Sequence, residues 1–181
     1  MYKMSNISKI LEFNKQFVES KEYEHYLSDR LPSKKIAILT CMDTRLVELL
    51  PAALGVKNGD VKIIKCAGAQ ITSPYDSSIR SLLIGVTELG VEDIMVIGHT
   101  QCGTASLDAK NVRKKLISLG VSEKSIDSCE IDFDAWLNGF GKVEDSVRKT
   151  VNCLRKHPLM PSTVVISGYV IDIKTGRLTP V

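Results

Sequence analysis

Two short apolar runs, Ile36-Ala37-Ile38-Leu39 and Ile94-Met95-Val96-Ile97, constrain this chain more than any other feature. Each is too short for a buried helix and carries the bulky aliphatic residues of a strand covered on both faces. Each also ends abruptly in polar chemistry. The first runs into Cys41-Met42-Asp43-Thr44-Arg45 and the second into Gly98-His99-Thr100-Gln101-Cys102-Gly103. Between them Ile79, Leu82, Leu83, Val86 and Leu89 recur at helical spacing. Strands alternating with helices predict an α/β fold, a central mainly parallel sheet flanked by helices on both faces.

The rest of the chain fits that plan. Residues 5 to 28 read as an amphipathic helical arm with Ile7, Ile10, Leu11, Phe13, Phe17 and Val18 near a 3.6 period, broken by Leu31-Pro32-Ser33. The first strand is expected at 35 to 41. Val61-Lys62-Ile63-Ile64-Lys65-Cys66 reads as the second, entering the small residues Ala67-Gly68-Ala69. Ser73-Pro74 looks like a helix start, with serine as cap, and Gly90 like its end. A third strand follows at 93 to 98. Residues 103 to 140 are mixed, with Trp136 and Phe140 expected as anchors. A charged helix spans 143 to 156 and ends at His157-Pro158; a last strand begins at Thr163 to Ser167, and Thr175-Gly176 makes a turn.

At 181 residues and 44% hydrophobic content, residues 1 to 181 are expected to form a single domain with its own core. The formal charge of +3, from 24 basic and 21 acidic residues, is spread along the chain, so nucleic acid is not an expected partner. No stretch approaches the ~18 apolar residues of a bilayer span, and Met1 to Asn6 lacks the apolar core of a leader. A cytoplasmic setting is the expectation, with no membrane partner. The cysteines Cys41, Cys66, Cys102, Cys129 and Cys153 are odd in number and lack close disulfide spacing. Ligand, nucleophile or core roles are expected of them.

Functional residues of such sheets collect beyond the carboxyl ends of strands. Cys41, His99 and Cys102 are the types and number that hold zinc with one position left open, the mark of a catalytic site. Cys41, Asp43 and Arg45 would share one face if the segment stays extended. His99 and Cys102 would share a turn if a helix begins there, and its N-terminus would favour the thiolate. Zinc with two thiolates and a neutral imidazole is a neutral centre, so its bound water should be less acidic than the ~7 of the best zinc enzymes. Asp43, paired with Arg45, can accept the hydrogen bond of a zinc-bound hydroxide; released, it can become a fourth ligand that closes the site. Only Met42-Asp43-Thr44 separates Cys41 from Arg45, too few for a cysteine phosphatase loop, and no Cys-x-x-Cys pair exists for a redox site.

The two motifs Cys41-x-Asp43-x-Arg45 and His99-x-x-Cys102-Gly103 resemble those of the β-class carbonic anhydrases. The resemblance, closest to the short prokaryotic and archaeal branch, runs through Ile79-Arg80-Ser81-Leu82-Leu83, Trp136-Leu137, Val143 to Arg148, Leu154 to Leu159 and Asp172 to Leu178. It implies reversible hydration of carbon dioxide to bicarbonate and a proton. The zinc ligands would be Cys41, His99 and Cys102, with Asp43 and Arg45 orienting or gating the fourth position. It also implies about four strands plus an antiparallel edge strand, and a homodimer or homotetramer assembled through the arm at 1 to 30. Alternatives on the same site are hydrolysis of carbonyl sulfide or carbon disulfide, or bicarbonate binding with weak catalysis.

Two departures mark this chain. Relatives often carry Asn-Ala-Gly-Asn where it has Cys66-Ala67-Gly68-Ala69, which makes Cys66 either a space-filling residue or a fifth-ligand candidate. Relatives with an aspartate-closed site often have tryptophan where it has Ile38, which favours the open form. Neither His25, in an exposed setting, nor His157, read as a helix cap, is assigned as a proton shuttle.

Overall fold

The computed structural model describes residues 5–181; Met1–Met4, part of the stretch read as lacking a leader core, lie outside the described residues. The chain divides into two compact units, one ending at Arg30 and one spanning Leu31–Val181.

In the first unit α1 (Asn6–Glu19) is capped by Ser5, whose side chain accepts the amide of Ser8. The expected single helix over 5 to 28 is instead two pieces. Lys21 adopts a left-handed conformation (φ 58°), and a 3-10 turn, Glu22–Tyr26, follows it. Phe17 and Tyr26 pack across that break with ring centroids 6.0 Å apart. No α1 residue is buried: Ile7, Ile10, Leu11 and Phe13 are all more than 60% exposed.

The second unit is built on five strands: β1 (Ile36–Cys41), β2 (Val61–Cys66), β3 (Asp93–His99), β4 (Val165–Ile171) and β5 (Leu178–Pro180). Their order is β2-β1-β3-β4-β5; the first four are parallel and β5 is antiparallel to β4. The expected sheet is therefore present, although β4 starts two residues later than Thr163 and runs further.

Alternation along the strands divides the core. Ala37, Leu39, Ile94, Val96, Ile166 and Val170 face α3 (Ser77–Glu88) and α7 (Val143–Lys156). Ile38, Ile97 and Ile171 face α2 (Leu46–Leu54), which contributes Leu46 and Leu50. The first face is packed tightly because Gly98 and Gly168 admit α7. A Cβ on Gly98 would fall 2.6 Å from Val143 and 2.8 Å from Val147. Three short helices, α4 (Ala109–Ser118), α5 (Glu123–Asp127) and α6 (Phe133–Leu137), occupy the mixed region.

Two local expectations are corrected and a third is extended. Helix α3 starts at Ser77, capped by the Asp76 carboxylate, which accepts the amide of Ile79; Ser73 instead accepts the amide of Tyr75 in the preceding turn. Trp136 is no anchor, being 54% exposed, whereas Phe140 packs against the α2-side core. His157 does end α7 as read, but its ring reaches further: Nε2 lies 2.8 Å from the Pro74 carbonyl and Nδ1 accepts the amide of Leu159.

Candidate metal centre

From β1 the chain crosses to β2 on one side and then returns to β3 on the other. The carboxyl ends of β1 and β3 therefore flank a topological switch point, where open parallel sheets open a crevice. The register pairs Thr40 with Ile97, which puts Cys41 level with Gly98 and one position short of His99 at the ends of adjacent strands. The Thr40 hydroxyl donates to the Ile97 carbonyl at 2.9 Å and ties the two strand ends together. Thr100, just past β3, is held from β4: its amide donates to the Ile171 carbonyl, and its hydroxyl accepts the Ile173 amide.

This framework gathers Cys41, His99 and Cys102, 4%, 1% and 8% exposed, with their ligand atoms within 4.8 Å of one another. Cys41 Sγ and Cys102 Sγ are 3.8 Å apart. Nδ1 of His99 lies 2.8 Å from the Thr100 carbonyl, which can only accept, so Nδ1 carries the proton. Nε2 is left buried with its lone pair and no hydrogen-bond partner. A buried orphaned acceptor beside two thiols is otherwise costly, and it fits a metal ion. Two sulfurs and an imidazole nitrogen select zinc over the oxygen-seeking ions, and zinc is the cofactor of this site.

The geometry around the triad differs from the sequence expectation at two places. No helix begins at His99: Cys102 precedes only a four-residue 3-10 turn, Gly103–Ser106. Nor does the chain stay extended past Cys41. It turns at Asp43, whose carbonyl accepts the Leu46 amide, and Arg45 already has helical dihedrals at the start of α2. Asp43 and Arg45 meet through that turn. The Arg45 amide and Nε both donate to Asp43 Oδ1 at 2.9 Å, and Nη2 donates to Oδ2 at 2.7 Å. The same Nη2 donates to the Gln101 carbonyl at 3.0 Å, linking the pair to the loop between His99 and Cys102. Gln101 presents that carbonyl from a left-handed conformation (φ 55°).

Asp43 Oδ2 lies 3.7 Å from His99 Nε2, so the pair stands at the edge of the triad. The side-chain hydrogen bonds from Arg45 hold the Asp43 carboxyl far below the usual carboxylate range, against a smaller opposing effect of burial. Asp43 is therefore an acceptor at any ordinary pH.

Cys66, register-paired with Cys41, is not part of the cluster. Its Sγ donates to the Gln70 carbonyl at 3.3 Å, and burial pushes its thiol pKa up, so it stays protonated. It lines a cavity of about 250 Å³ with Ala67, Thr104, Leu107, Trp136 and Leu137; no member of the triad lines it. The space-filling role fits Cys66 better than a ligand role. Sequence reasoning missed the groups that hold the triad: the carbonyls of Thr100 and Gln101, and the Gly68 amide, which donates to Cys41 Sγ at 3.4 Å. The only signal for the last was the run of small residues at 67 to 69.

Comparison with known proteins gives the same direction. Residues 36–178 match the family described as carbonic anhydrase. The YtiB protein of Bacillus subtilis is 48% identical over 97% of this chain and 95% of its own. A carbon disulfide hydrolase of Saccharolobus solfataricus is 33% identical, covering 88% of this chain and 85% of the relative. The crystal structure of β-carbonic anhydrase isoform I from Trichomonas vaginalis superposes with a TM-score of 0.91 at 33% identity, over 98% of this chain and 97% of that one. With a strand-end cysteine–histidine–cysteine triad, an adjoining Asp–Arg pair and these likenesses, the chain belongs to the β-class carbonic anhydrase family.

Proposed function

We propose that this chain catalyses the reversible hydration of carbon dioxide to bicarbonate and a proton, with zinc held by Cys41, His99 and Cys102 and the fourth position served by Asp43 and Arg45. One observation carries the reading: Arg45 engages both Asp43 oxygens and leaves Oδ2 3.7 Å from the orphaned Nε2 of His99. A fixed, ionised acceptor thus borders the place where an attacking oxygen must sit. When bound, zinc would supply the Lewis acidity that makes water a nucleophile, less strongly than a site of three histidines does.

The residues of the chain do the rest. Asp43 accepts a hydrogen bond from the attacking oxygen and so turns a lone pair toward the carbon of the substrate. It is too weak a base to keep the proton, which passes to solvent or buffer. His157 is not a shuttle, because it is buried and both its ring nitrogens are engaged. Closure of the site by Asp43 would require breaking three hydrogen bonds from Arg45, which supports the open form as the resting one.

Stopped-flow hydration of carbon dioxide by the zinc-loaded chain tests the reading. Turnover is expected to vanish after chelation and to return on adding zinc. Carbon disulfide and carbonyl sulfide run alongside decide the alternative drawn from the carbon disulfide hydrolase relative. Faster turnover of either, with negligible hydration of carbon dioxide, would replace the first reading.

The exposed apolar stripe of α1 supports pairing of the arm with a second copy, as a homodimer or higher even assembly. Among the described residues no helix is long and apolar enough to cross a membrane.

A further inference from the structure

We infer that the backbone amide of Gly68 tunes the metal centre through Cys41, and that the Gly68–Ala69 turn is shaped to hold it there; the inference rests on Cys41 being a zinc ligand. The Gly68 N–H donates to Cys41 Sγ at 3.4 Å in a buried setting. A hydrogen bond to a thiolate draws negative charge off the sulfur, which then donates less to its metal. Two thiolates and an imidazole leave zinc neutral and a poorer Lewis acid than three histidines would. The amide works against that deficit from one side of the ligand set.

The turn pays for this placement with backbone strain. Gly68 (φ 69°, ψ 9°) and Ala69 (φ 56°) are consecutive left-handed residues, and alanine has no side-chain hydrogen bond to ease that conformation. Gly68 also has no room for a side chain. A Cβ there would lie 2.7 Å from Phe140 Cε1, 3.2 Å from Thr104 Cγ2 and 3.3 Å from Gln70 Cγ. Two bonds hold the strained turn in place. From α7 the Thr150 hydroxyl donates to the Ala69 carbonyl at 3.4 Å, and Cys66 Sγ donates to the Gln70 carbonyl at 3.3 Å. Gly68 and Thr150 are thus positioning residues: neither touches the substrate, and both act through the sulfur of Cys41.

The test is spectroscopic and uses the full chain loaded with cobalt(II) in place of zinc. The thiolate-to-cobalt charge-transfer absorption reports how readily sulfur gives up an electron. Gly68→Ala is expected to retain cobalt, to move that band to longer wavelength, and to lower turnover of the zinc form about tenfold, in the range seen for second-sphere changes. Thr150→Val adds no bulk to the turn and is expected to move the band less, in the same direction. Thr150→Ser keeps the donor and restores the wild-type band. An unmoved band in folded, cobalt-loaded Gly68→Ala overturns the inference. Where Gly68→Ala does not fold, the Thr150 pair decides: a shift in valine but not serine upholds it, and identical spectra overturn it. Absence of the band from the wild-type chain would instead sink the assignment of the cysteine ligands, and the inference with it.

Discussion

The triad and the Asp43–Arg45 pair are neighbours, with Asp43 Oδ2 3.7 Å from His99 Nε2, yet they are held by different means. Cys41, His99 and Cys102 are buried, and their supports are backbone groups: the Thr100 carbonyl on the imidazole and the Gly68 amide on the sulfur. Asp43 and Arg45 are partly open to solvent, with side chains 16% and 43% exposed, and depend chiefly on each other. A side-chain change can shift a backbone support but not delete it, whereas a side-chain pair fails when either member goes. The metal set is therefore the durable part of the site and the pair its adjustable part.

The largest effect should come from breaking the durable part. His99→Ala removes the imidazole and leaves two thiols, so zinc content measured on the purified chain should fall from stoichiometric toward zero and turnover to background. If zinc stays and only turnover is lost, His99 is not a ligand. The adjustable part should behave otherwise. Asp43→Ala should keep zinc while turnover drops by roughly 10²–10³-fold, the scale of losing one preorganised electrostatic partner. Arg45→Lys should recover little of the wild-type rate, because an ammonium cannot grip both carboxylate oxygens. Zinc loss from Asp43→Ala would erase the distinction between the two parts.

The smallest effect concerns pH. The folded pKa of Asp43 is depressed, so its contribution to stability is fully present above the ordinary carboxylate pKa of about 4 and is lost only below that, as pH falls toward the folded value. No inflection from Asp43 should appear in the pH–rate profile between about pH 5 and 9, well above that ordinary carboxylate pKa. Any inflection there that disappears in Asp43→Asn, while zinc is retained, would show that the pair is looser than its geometry implies.

The same contrast explains what could be read from the sequence. The triad was legible because its residue types are rare at strand ends and the apolar runs before Cys41 and His99 fix those ends. The pairing of Asp43 with Arg45 was legible too, but not its geometry: alternation along an extended chain placed them on one face, and a turn into α2 does so instead. Helix α2 itself, Leu-Val-Glu-Leu-Leu-Pro-Ala-Ala-Leu, is apolar nearly all round, so its period gives no signal. The supports on the triad were not legible at all. A carbonyl or an amide belongs to every residue, and only the folded path decides which one meets His99 Nδ1 or Cys41 Sγ. Cys66 shows the converse: a metal-liganding residue type one strand from Cys41, turned aside by a hydrogen bond to Gln70.

The alignment of β1 against β3 has one more consequence. Cys41 and Cys102 are 61 positions apart, and they converge only when Thr40 lies opposite Ile97. Sliding one strand by a single residue would carry its ligand about 3.3 Å along the sheet and turn it to the opposite face. A chain misaligned in this way could still bury much of its apolar surface, but it would offer zinc an incomplete set of donors. Metal binding would therefore add its stabilisation only to chains whose central strands are correctly aligned.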